Sequence, residues 1–135
     1  MRGPRPDRVR VRRSHPDESS HRRAELIYDG SLDDIEPEHV DLVLDVNVKG
    51  TFYCCQAAVP HMVAAGGGAI VNTSSIGGRQ PSPVTGVPYA AAKAAVVGLT
   101  KRLAKEVGAQ GVRVNAVAQG QFITGRMKGR FDAMS

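Results

Sequence analysis

The amino-acid sequence predicts an α/β domain with a parallel sheet. Two short apolar segments, AIVNTSS at residues 69–75 and VRVNAVA at residues 112–118, have the length and composition of buried strands. Each of them follows a longer segment that has the composition of a helix and ends at glycine. Strands that alternate with helices are joined by crossover connections, and this arrangement produces parallel strands.

The first helix is predicted over residues 37–65. Pro37 follows several acidic side chains, and both features favour the first turn of a helix. The segment ends at three glycines, residues 66–68, where a helix stops. Pro60 lies inside the segment, so we expect a bend there.

The second helix is predicted over residues 89–107. A loop rich in Gly, Pro and Ser, GGRQPSPVTGVP, separates it from the first strand. Gly108 and Gly111 follow its last residues and are expected to close it. The second strand is followed by a polar segment that contains several glycines.

The basic character of the chain is confined to its N-terminal tail. Residues 1–23 contain eight Arg and three acidic side chains, and therefore account for the whole formal net charge of +5. The tail has no apolar periodicity, and we predict that residues 1–30 are disordered. Clustered Arg also suits a nucleic-acid or membrane-surface arm. We favour a solvated extension, because no folded element follows that would position such an arm.

The sequence contains no pattern typical of a membrane anchor or a metal site. No apolar run is long enough to span a bilayer, and no apolar region of a secretory signal follows the first Arg residues. We therefore expect a cytoplasmic protein. Cys54 and Cys55 are neighbours within the first helix and point in different directions. We expect both to fill the core rather than to form a disulfide or bind a metal.

Tyr89 and Lys93 lie four residues apart at the start of the second helix, so they share one of its faces. A free phenol has a pKa of about 10 and is a poor base near neutral pH. An ammonium group about 4 Å away would lower that pKa by up to about 3 units, which suits general acid and base catalysis. The alternative for this pair taken alone is a Tyr and a Lys that share an exposed face.

Two further polar residues have positions that suggest a function. Ser75 lies at the end of the first strand, at the edge where α/β sheets bind ligands. Asn47 lies among apolar and β-branched residues in DVNVKG, where a buried amide needs hydrogen-bond partners. The simpler alternatives are an ordinary turn residue for Ser75 and an exposed helix position for Asn47.

As a set, these features resemble the short-chain dehydrogenase/reductase family. The matching segments are DVNVKG with Asn47, GGAIVNTSSIGG with Ser75, PYAAAK with Tyr89 and Lys93, and VRVNAVAQGQFIT. Their order and spacing agree with the family over residues 31–126, which we interpret as a catalytic segment, and residues 127–135 form a C-terminal tail. The resemblance implies an oxidoreductase that uses NAD or NADP on an alcohol or ketone.

The resemblance also implies a role for each site residue. Tyr89 is the acid and base at the substrate oxygen, and Lys93 lowers the pKa of Tyr89 and binds the nicotinamide ribose hydroxyls. Ser75 orients the reacting oxygen, with Ser74 as the second candidate for that role. Asn47 holds a water that extends the proton relay behind Lys93. Further cofactor contacts fall on the loop after the second strand, at Gly120, Phe122 and Thr124.

The implied architecture is a partial Rossmann-type fold, a doubly wound parallel sheet without its N-terminal nucleotide-binding βαβ unit. Family members open with a strand, a glycine-rich turn and a helix whose N-terminus receives the pyrophosphate. The glycines at residues 66–68 do not match that turn, because they follow a helix and precede a strand. Gln119 stands where the family usually has Pro, which leaves this loop less restricted.

The implied partner is a small-molecule alcohol or ketone, and we expect no nucleic acid and no membrane. In the resembled family the two long helices commonly form the subunit interface, so we also expect a homo-oligomer. An Ala-rich face of the second helix would permit close approach of another copy: Ala90, Ala91, Ala94 and Ala95. A second hypothesis is a catalytically inactive fragment that acts through helix–helix association. Cofactor binding distinguishes the two hypotheses.

Overall fold

The computed structural model describes residues 31–122, together with Lys128 and Asp132. The predicted tail at residues 1–30 lies outside the described residues, and so does the tail at residues 127–135 apart from these two side chains, which form an ion pair. Within the described part of the chain, no helix has the length and hydrophobicity that a membrane span requires.

Two parallel strands, β1 (Gly68–Ser75) and β2 (Val112–Gln119), form a two-stranded sheet. They pair in register along their whole length, with Ser75 opposite Gln119 at the last position. Both strands were predicted to within one residue, and the prediction that they run parallel is confirmed. Because the strands are parallel, their carboxyl ends lie side by side at one edge of the sheet.

The first predicted helix forms as α1 (Pro37–Leu44) and α2 (Gly50–Ala64), joined by a π-helical turn over Asp45–Lys49. Pro37 lies in the first turn of α1, as expected. The interruption of regular α-helix therefore comes at Asp45–Lys49 rather than near Pro60, which lies within α2. The sequence did not predict the π turn. Such turns occur often at functional sites.

The second predicted helix, α3 (Val87–Val107), begins two residues earlier than expected. Pro88 lies in its first turn, where a missing N–H is harmless. A short 3-10 turn, Gly108–Gln110, follows the helix, and Gly111 then adopts a left-handed conformation with φ 80°. That conformation favours glycine and leads the chain into β2.

Both helices pack on the same face of the sheet. Residues from α2, α3, β1 and β2 meet in one aliphatic cluster: Val107, Val112, Val114, Val59, Met62, Val63, Ile70, Leu103 and Ala104. On the opposite face the side chains of Val71 and Val117 are 64% and 52% exposed. Cys55 is buried in the core as expected, but the same expectation for Cys54 is wrong, because its side chain is exposed. Neighbouring residues on a helix cannot both face the core of a single sheet.

A buried polar chain ties the helices to β1. Asn72 Nδ2 on β1 donates to Thr100 Oγ1 on α3 at 2.9 Å, and Thr100 Oγ1 donates to the carbonyl oxygen of Val96 at 2.8 Å. On the other side, Cys55 Sγ on α2 lies 3.6 Å from Asn72 Oδ1. Because each buried polar group has a partner, the contacts fix both helices on the strand without leaving an unsatisfied group.

Candidate active site

A cleft of about 220 Å³ lies at the carboxyl ends of the two strands. Its walls come from the end of β1, the loop before α3, the first turn of α3 and the segment after β2. The residues that line it are Thr73, Ser74, Ser75, Val84, Thr85, Tyr89, Gln119, Gly120, Gln121 and Phe122. Ligands of open α/β sheets bind at this edge.

Ser75 is the last residue of β1 and begins the short 3-10 turn Ile76–Gly78. Its Oγ accepts a hydrogen bond from the backbone N–H of Gly77 at 3.2 Å. The hydroxyl proton remains available, and the side chain of Ser75 lowers the pKa of Tyr89, which lines the same cleft. The end of the strand and the turn after it therefore place the Ser75 hydroxyl at the cleft beside Tyr89.

Ser74 uses its hydroxyl differently. Its side chain is 2% exposed, and Oγ donates to the backbone carbonyl oxygen of Lys93 at 2.8 Å. Since that proton already forms a hydrogen bond to the backbone of α3, Ser74 is poorly suited to orient a substrate oxygen. The geometry thus favours Ser75 over Ser74 as the hydroxyl that serves the cleft.

Tyr89 lies in the first turn of α3 and is half-buried. Burial raises the pKa of Tyr89, because a phenolate is less well solvated there than in water. The hydrogen bond from Ser75 lowers the pKa of Tyr89, but this influence is the smaller of the two. In this structure Tyr89 is therefore held in its protonated form.

Lys93 lies one turn after Tyr89 and on the same face of α3, as the four-residue spacing predicted. Its Nζ donates to the backbone carbonyl oxygen of Thr73 at 3.0 Å. Partial burial lowers the pKa of Lys93, because the ammonium form loses solvation. No residue pattern indicates the Thr73 contact in advance, since a backbone carbonyl can belong to any residue.

The expectation that Lys93 lowers the pKa of Tyr89 is wrong for this structure. Nζ of Lys93 lies 5.5 Å from the centroid of the Tyr89 ring, so the cation faces the ring and is drawn to the carbonyl of Thr73 instead of the phenolic oxygen. Burial then has the larger influence, and the pKa of Tyr89 is raised. The spacing of the two residues predicted a shared face but not the direction of the ammonium group.

Asn47 lies in the π turn between α1 and α2 and is partly buried. The side-chain Nδ2 of Asn47 donates to the backbone carbonyl oxygen of Val43 at 2.9 Å. The backbone carbonyl oxygen of Asn47 accepts from Thr51 Oγ1 at 2.8 Å. The π turn packs against α3, the helix that carries Lys93. Both hydrogen bonds described for Asn47 stay within its own helix, so the structure does not join it directly to Ser75, Tyr89 or Lys93.

The loop after β2 supplies two of the three predicted cofactor contacts to the cleft. Gly120 and Phe122 both line it, and Phe122 is largely exposed. Thr124 lies outside the described residues. Val84, Thr85 and Gln121 also line the cleft and were not singled out from the sequence. They lie in loops, where no periodic pattern marks a residue as facing a ligand.

The residues at the cleft fit the nicotinamide end of a dinucleotide. An ammonium group has three N–H donors, and Lys93 uses one of them on Thr73, so the others can serve ribose hydroxyls. Hydroxyl donors for a reacting oxygen are present on Ser75 and Tyr89, at the sheet edge where such cofactors bind. Lys93, Gly120 and Phe122 are therefore the described residues suited to hold this group.

Comparison with known proteins gives a consistent family assignment. The family model described as short chain dehydrogenase matches residues 24–135. An A-factor type gamma-butyrolactone 1'-reductase of Streptomyces virginiae is 52% identical over 81 residues, which cover 59% of this chain and 31% of that protein. The chain thus spans about a third of the length of this curated relative.

Solved structures agree with the sequence match. A gluconate 5-dehydrogenase from Burkholderia cenocepacia, in complex with NADP and tartrate, aligns with a TM-score of 0.72 and 34% identity over 78% of this chain and 41% of that one. A 3-oxoacyl-[acyl-carrier protein] reductase from Brucella melitensis with bound NAD aligns with a TM-score of 0.68 and 41% identity over 76% of this chain and 39% of that one. These Rossmann-type neighbours confirm the predicted fold class. Together with the match of the family model, they establish that the chain belongs to the short-chain dehydrogenase family.

Proposed function

We propose that this chain carries the catalytic segment of an NAD- or NADP-dependent oxidoreductase that acts on an alcohol or ketone. The observation that supports the proposal best is that Ser75 and Tyr89 line one cleft, with the Lys93 ammonium over the Tyr89 ring. Relatives whose structures contain NADP or NAD supply the second support. When bound, the nicotinamide ring supplies hydride transfer.

The side chains of this chain then handle the proton and the substrate oxygen. Tyr89, protonated in this structure, donates its proton to a carbonyl oxygen in the direction of reduction and removes it from an alcohol in the reverse direction. Ser75 donates a hydrogen bond to the same oxygen and stabilises the charge that develops on it. Lys93 binds the ribose hydroxyls, and the loop with Gly120, Phe122 and Thr124 contacts the nicotinamide end. Asn47 is proposed to hold a water behind Lys93.

Replacement of Tyr89 by Phe tests the proposed chemistry. Tyr89→Phe removes the proton donor and keeps the ring, so we expect turnover to fall by about 100-fold or more while the fold persists. The measurement is oxidation of NADH or NADPH with small aliphatic ketones, together with the thermal unfolding transition of the variant. Tyr53→Phe is the control, because Tyr53 lies on α2 and its side chain is exposed. If Tyr89→Phe and Tyr53→Phe both keep the turnover of the wild type, the role assigned to Tyr89 is refuted.

We also propose that two copies of the chain associate through the long helices. Ala91, Ala94 and Ala95 form an exposed small-residue face on α3, and Phe52 and Tyr53 are exposed apolar side chains on α2. Burial of such side chains in a second copy would remove apolar surface from water.

The proposed association is tested by sedimentation of a variant with a bulky charge on the Ala-rich face. Ala94→Arg is expected to convert a dimer into a monomer, whereas Gln110→Arg, on the turn after α3, leaves the dimer intact. A wild-type chain that sediments as a monomer, or an Ala94→Arg variant that remains dimeric, would contradict the proposal.

A further inference from the structure

Ser74 joins the end of β1 to the turn of α3 that carries Lys93. Its hydroxyl is buried and donates to the backbone carbonyl oxygen of Lys93 at 2.8 Å. Within α3 that carbonyl also takes part in helical hydrogen bonding, so the Ser74 hydroxyl fills its second acceptor site. The bond is not needed to form either element, and it connects the strand to the helix.

Two further features keep Lys93 close to β1 and to the turn that follows it. Lys93 Nζ donates to the carbonyl oxygen of Thr73, the residue before Ser74, at 3.0 Å. The chain after β1 lies so close that a Cβ on Gly78 would be 2.6 Å from the carbonyl carbon of Lys93. The Nζ contact is exposed to water, whereas the Ser74 bond is part-buried and its donor residue is buried. A hydrogen bond from a buried donor constrains geometry more strongly, because water has little access to replace the lost partner.

The neighbours of Ser74 and Lys93 are the two hydroxyl residues of the cleft. Ser75 follows Ser74 directly on β1, and Tyr89 precedes Lys93 by one turn on α3. A shift between strand and helix at the Ser74–Lys93 contact therefore changes the separation of the Ser75 and Tyr89 hydroxyls. Hydrogen bonds between hydroxyls weaken steeply when that separation or its angle departs from the ideal values.

We propose that Ser74 is a positioning residue, whose buried hydroxyl holds the Lys93 turn of α3 against β1 and so keeps Tyr89 beside Ser75 at the cleft. This inference rests on the proposed function, in which those two hydroxyls serve the reacting oxygen. Ser74 itself contacts no reacting atom. Its side chain acts through the backbone of Lys93, which is how a supporting residue fixes catalytic geometry.

The test is a double-mutant cycle that reads the contact between Ser75 and Tyr89 without any turnover. The chain has three Tyr and no Trp, so a background with Tyr28→Phe and Tyr53→Phe leaves Tyr89 as the sole tyrosine. The ultraviolet absorbance of tyrosinate, recorded against pH, gives the titration midpoint of Tyr89, and circular dichroism confirms the fold in each sample. In this background Ser75→Ala should raise the midpoint, because the side chain of Ser75 lowers the pKa of Tyr89.

The same Ser75→Ala step is then measured in a chain that also carries Ser74→Ala. If Ser74 positions Tyr89, the contact with Ser75 is already weakened, and the upward shift should fall to less than half of its size in the parent background. Thr100→Val is the matched control. It removes a different buried hydroxyl that joins α3 to β1, and Thr100 lies two turns beyond Lys93. In the Thr100→Val chain the shift should keep its full size. Reduced stability alone would affect both variants alike.

An undiminished shift in the Ser74→Ala chain would overturn the inference and would leave Ser74 with a stabilising role only. If Ser74→Ala does not fold, Ser74→Cys replaces it, since a thiol of similar shape is a weaker donor and should also diminish the shift. An undiminished shift in that variant would overturn the inference equally. None of these outcomes depends on turnover, so they are separate from the result of Tyr89→Phe, which tests the proposed function.

Discussion

Partial burial acts on Tyr89 and Lys93 in opposite directions. It raises the pKa of the Tyr89 phenol and lowers the pKa of the Lys93 ammonium, and in both cases it favours the neutral form. The only hydrogen bond described for Lys93 Nζ is to a neutral backbone carbonyl, which does not restore the lost solvation of the cation. The two side chains therefore leave different signatures in the pH dependence of stability.

The difference in unfolding free energy between wild type and Tyr89→Phe should decrease as the pH rises above about 10. The pKa of Tyr89 is raised in the folded chain, so above the ordinary value of 10.0 the unfolded chain loses this proton first. The stabilising contribution is therefore fully present below about pH 10 and is lost as the pH rises through the folded-state pKa. Urea unfolding of both proteins at several alkaline pH values measures the difference.

Lys93→Met provides the control of opposite sign. The pKa of Lys93 is lowered in the folded chain, so its contribution is present above the ordinary value of 10.5 and is lost as the pH falls through the folded-state pKa. The difference in unfolding free energy between wild type and Lys93→Met should therefore increase with pH below about pH 10. In the same range the difference for Tyr89→Phe does not yet change with pH. A difference for Tyr89→Phe that rises above pH 10 would show that burial is not the dominant influence on this phenol.

Residue type and spacing predicted which side chains would meet, but not how they are oriented. The four-residue spacing placed Tyr89 and Lys93 on one face of α3, and the strand end placed Ser75 beside them. The direction of the Lys93 ammonium, towards the carbonyl of Thr73, depends on how closely β1 approaches α3. That distance is a property of tertiary packing, and no local pattern in the sequence encodes it.

At the scale of elements, the chain after β1 approaches α3 unusually closely. A Cβ on Gly78 would lie 2.6 Å from the carbonyl carbon of Lys93 and 2.7 Å from the backbone nitrogen of Ala94. Both of these atoms belong to the backbone of a helix, so they cannot rotate away as a side chain could. Only glycine permits this approach without a shift of the loop or the helix.

Gly78→Ala is therefore expected to destabilise the fold by about 1–3 kcal/mol, the usual cost of forcing an extra methyl group into a packed contact. Gly98→Ala, within α3, is the matched control, because a Cβ there would have no atom within 4 Å. It should stabilise the chain by about 0.5–1 kcal/mol through the better helix propensity of Ala. Urea unfolding measures both changes, and a Gly78→Ala variant as stable as wild type would disprove the close approach.

The elements themselves followed from simple sequence rules, with one exception. Acidic residues and Pro37 marked the start of α1, and the glycines around Gly111 marked the passage from α3 into β2. The π turn over Asp45–Lys49 was not predicted, because its sequence, DVNVK, fits a continuous α-helix equally well. In the structure, Asn47 and Thr51 each donate a side-chain hydrogen bond to the backbone one turn earlier, and the turn packs on α3.

The described molecule as a whole is a single layer of helices on a narrow sheet. One sheet face is covered by α2 and α3, while the other exposes Val71 and Val117. A sheet of two strands offers little area for two long helices, and apolar side chains on α1 and α2 also remain exposed, such as Leu42, Phe52 and Tyr53. Ligands and partners that cover apolar surface should therefore have a large influence on the stability of this chain.

Saturating nicotinamide cofactor should raise the thermal unfolding transition of the purified chain. A ligand that binds only the folded state adds about 2.7 kcal/mol of stability at a hundredfold excess over its dissociation constant. Scans with NAD, NADH, NADP and NADPH would show which cofactor the cleft accepts, since only that oxidised and reduced pair should shift the transition.

Lys93→Met is the control, because it removes the ammonium proposed to bind the ribose and should reduce the shift. A cooperative transition that is indifferent to all four would mean that the chain holds the proposed catalytic side chains together without forming a nucleotide site. The proposed activity of this chain would then be refuted, although its family membership would stand.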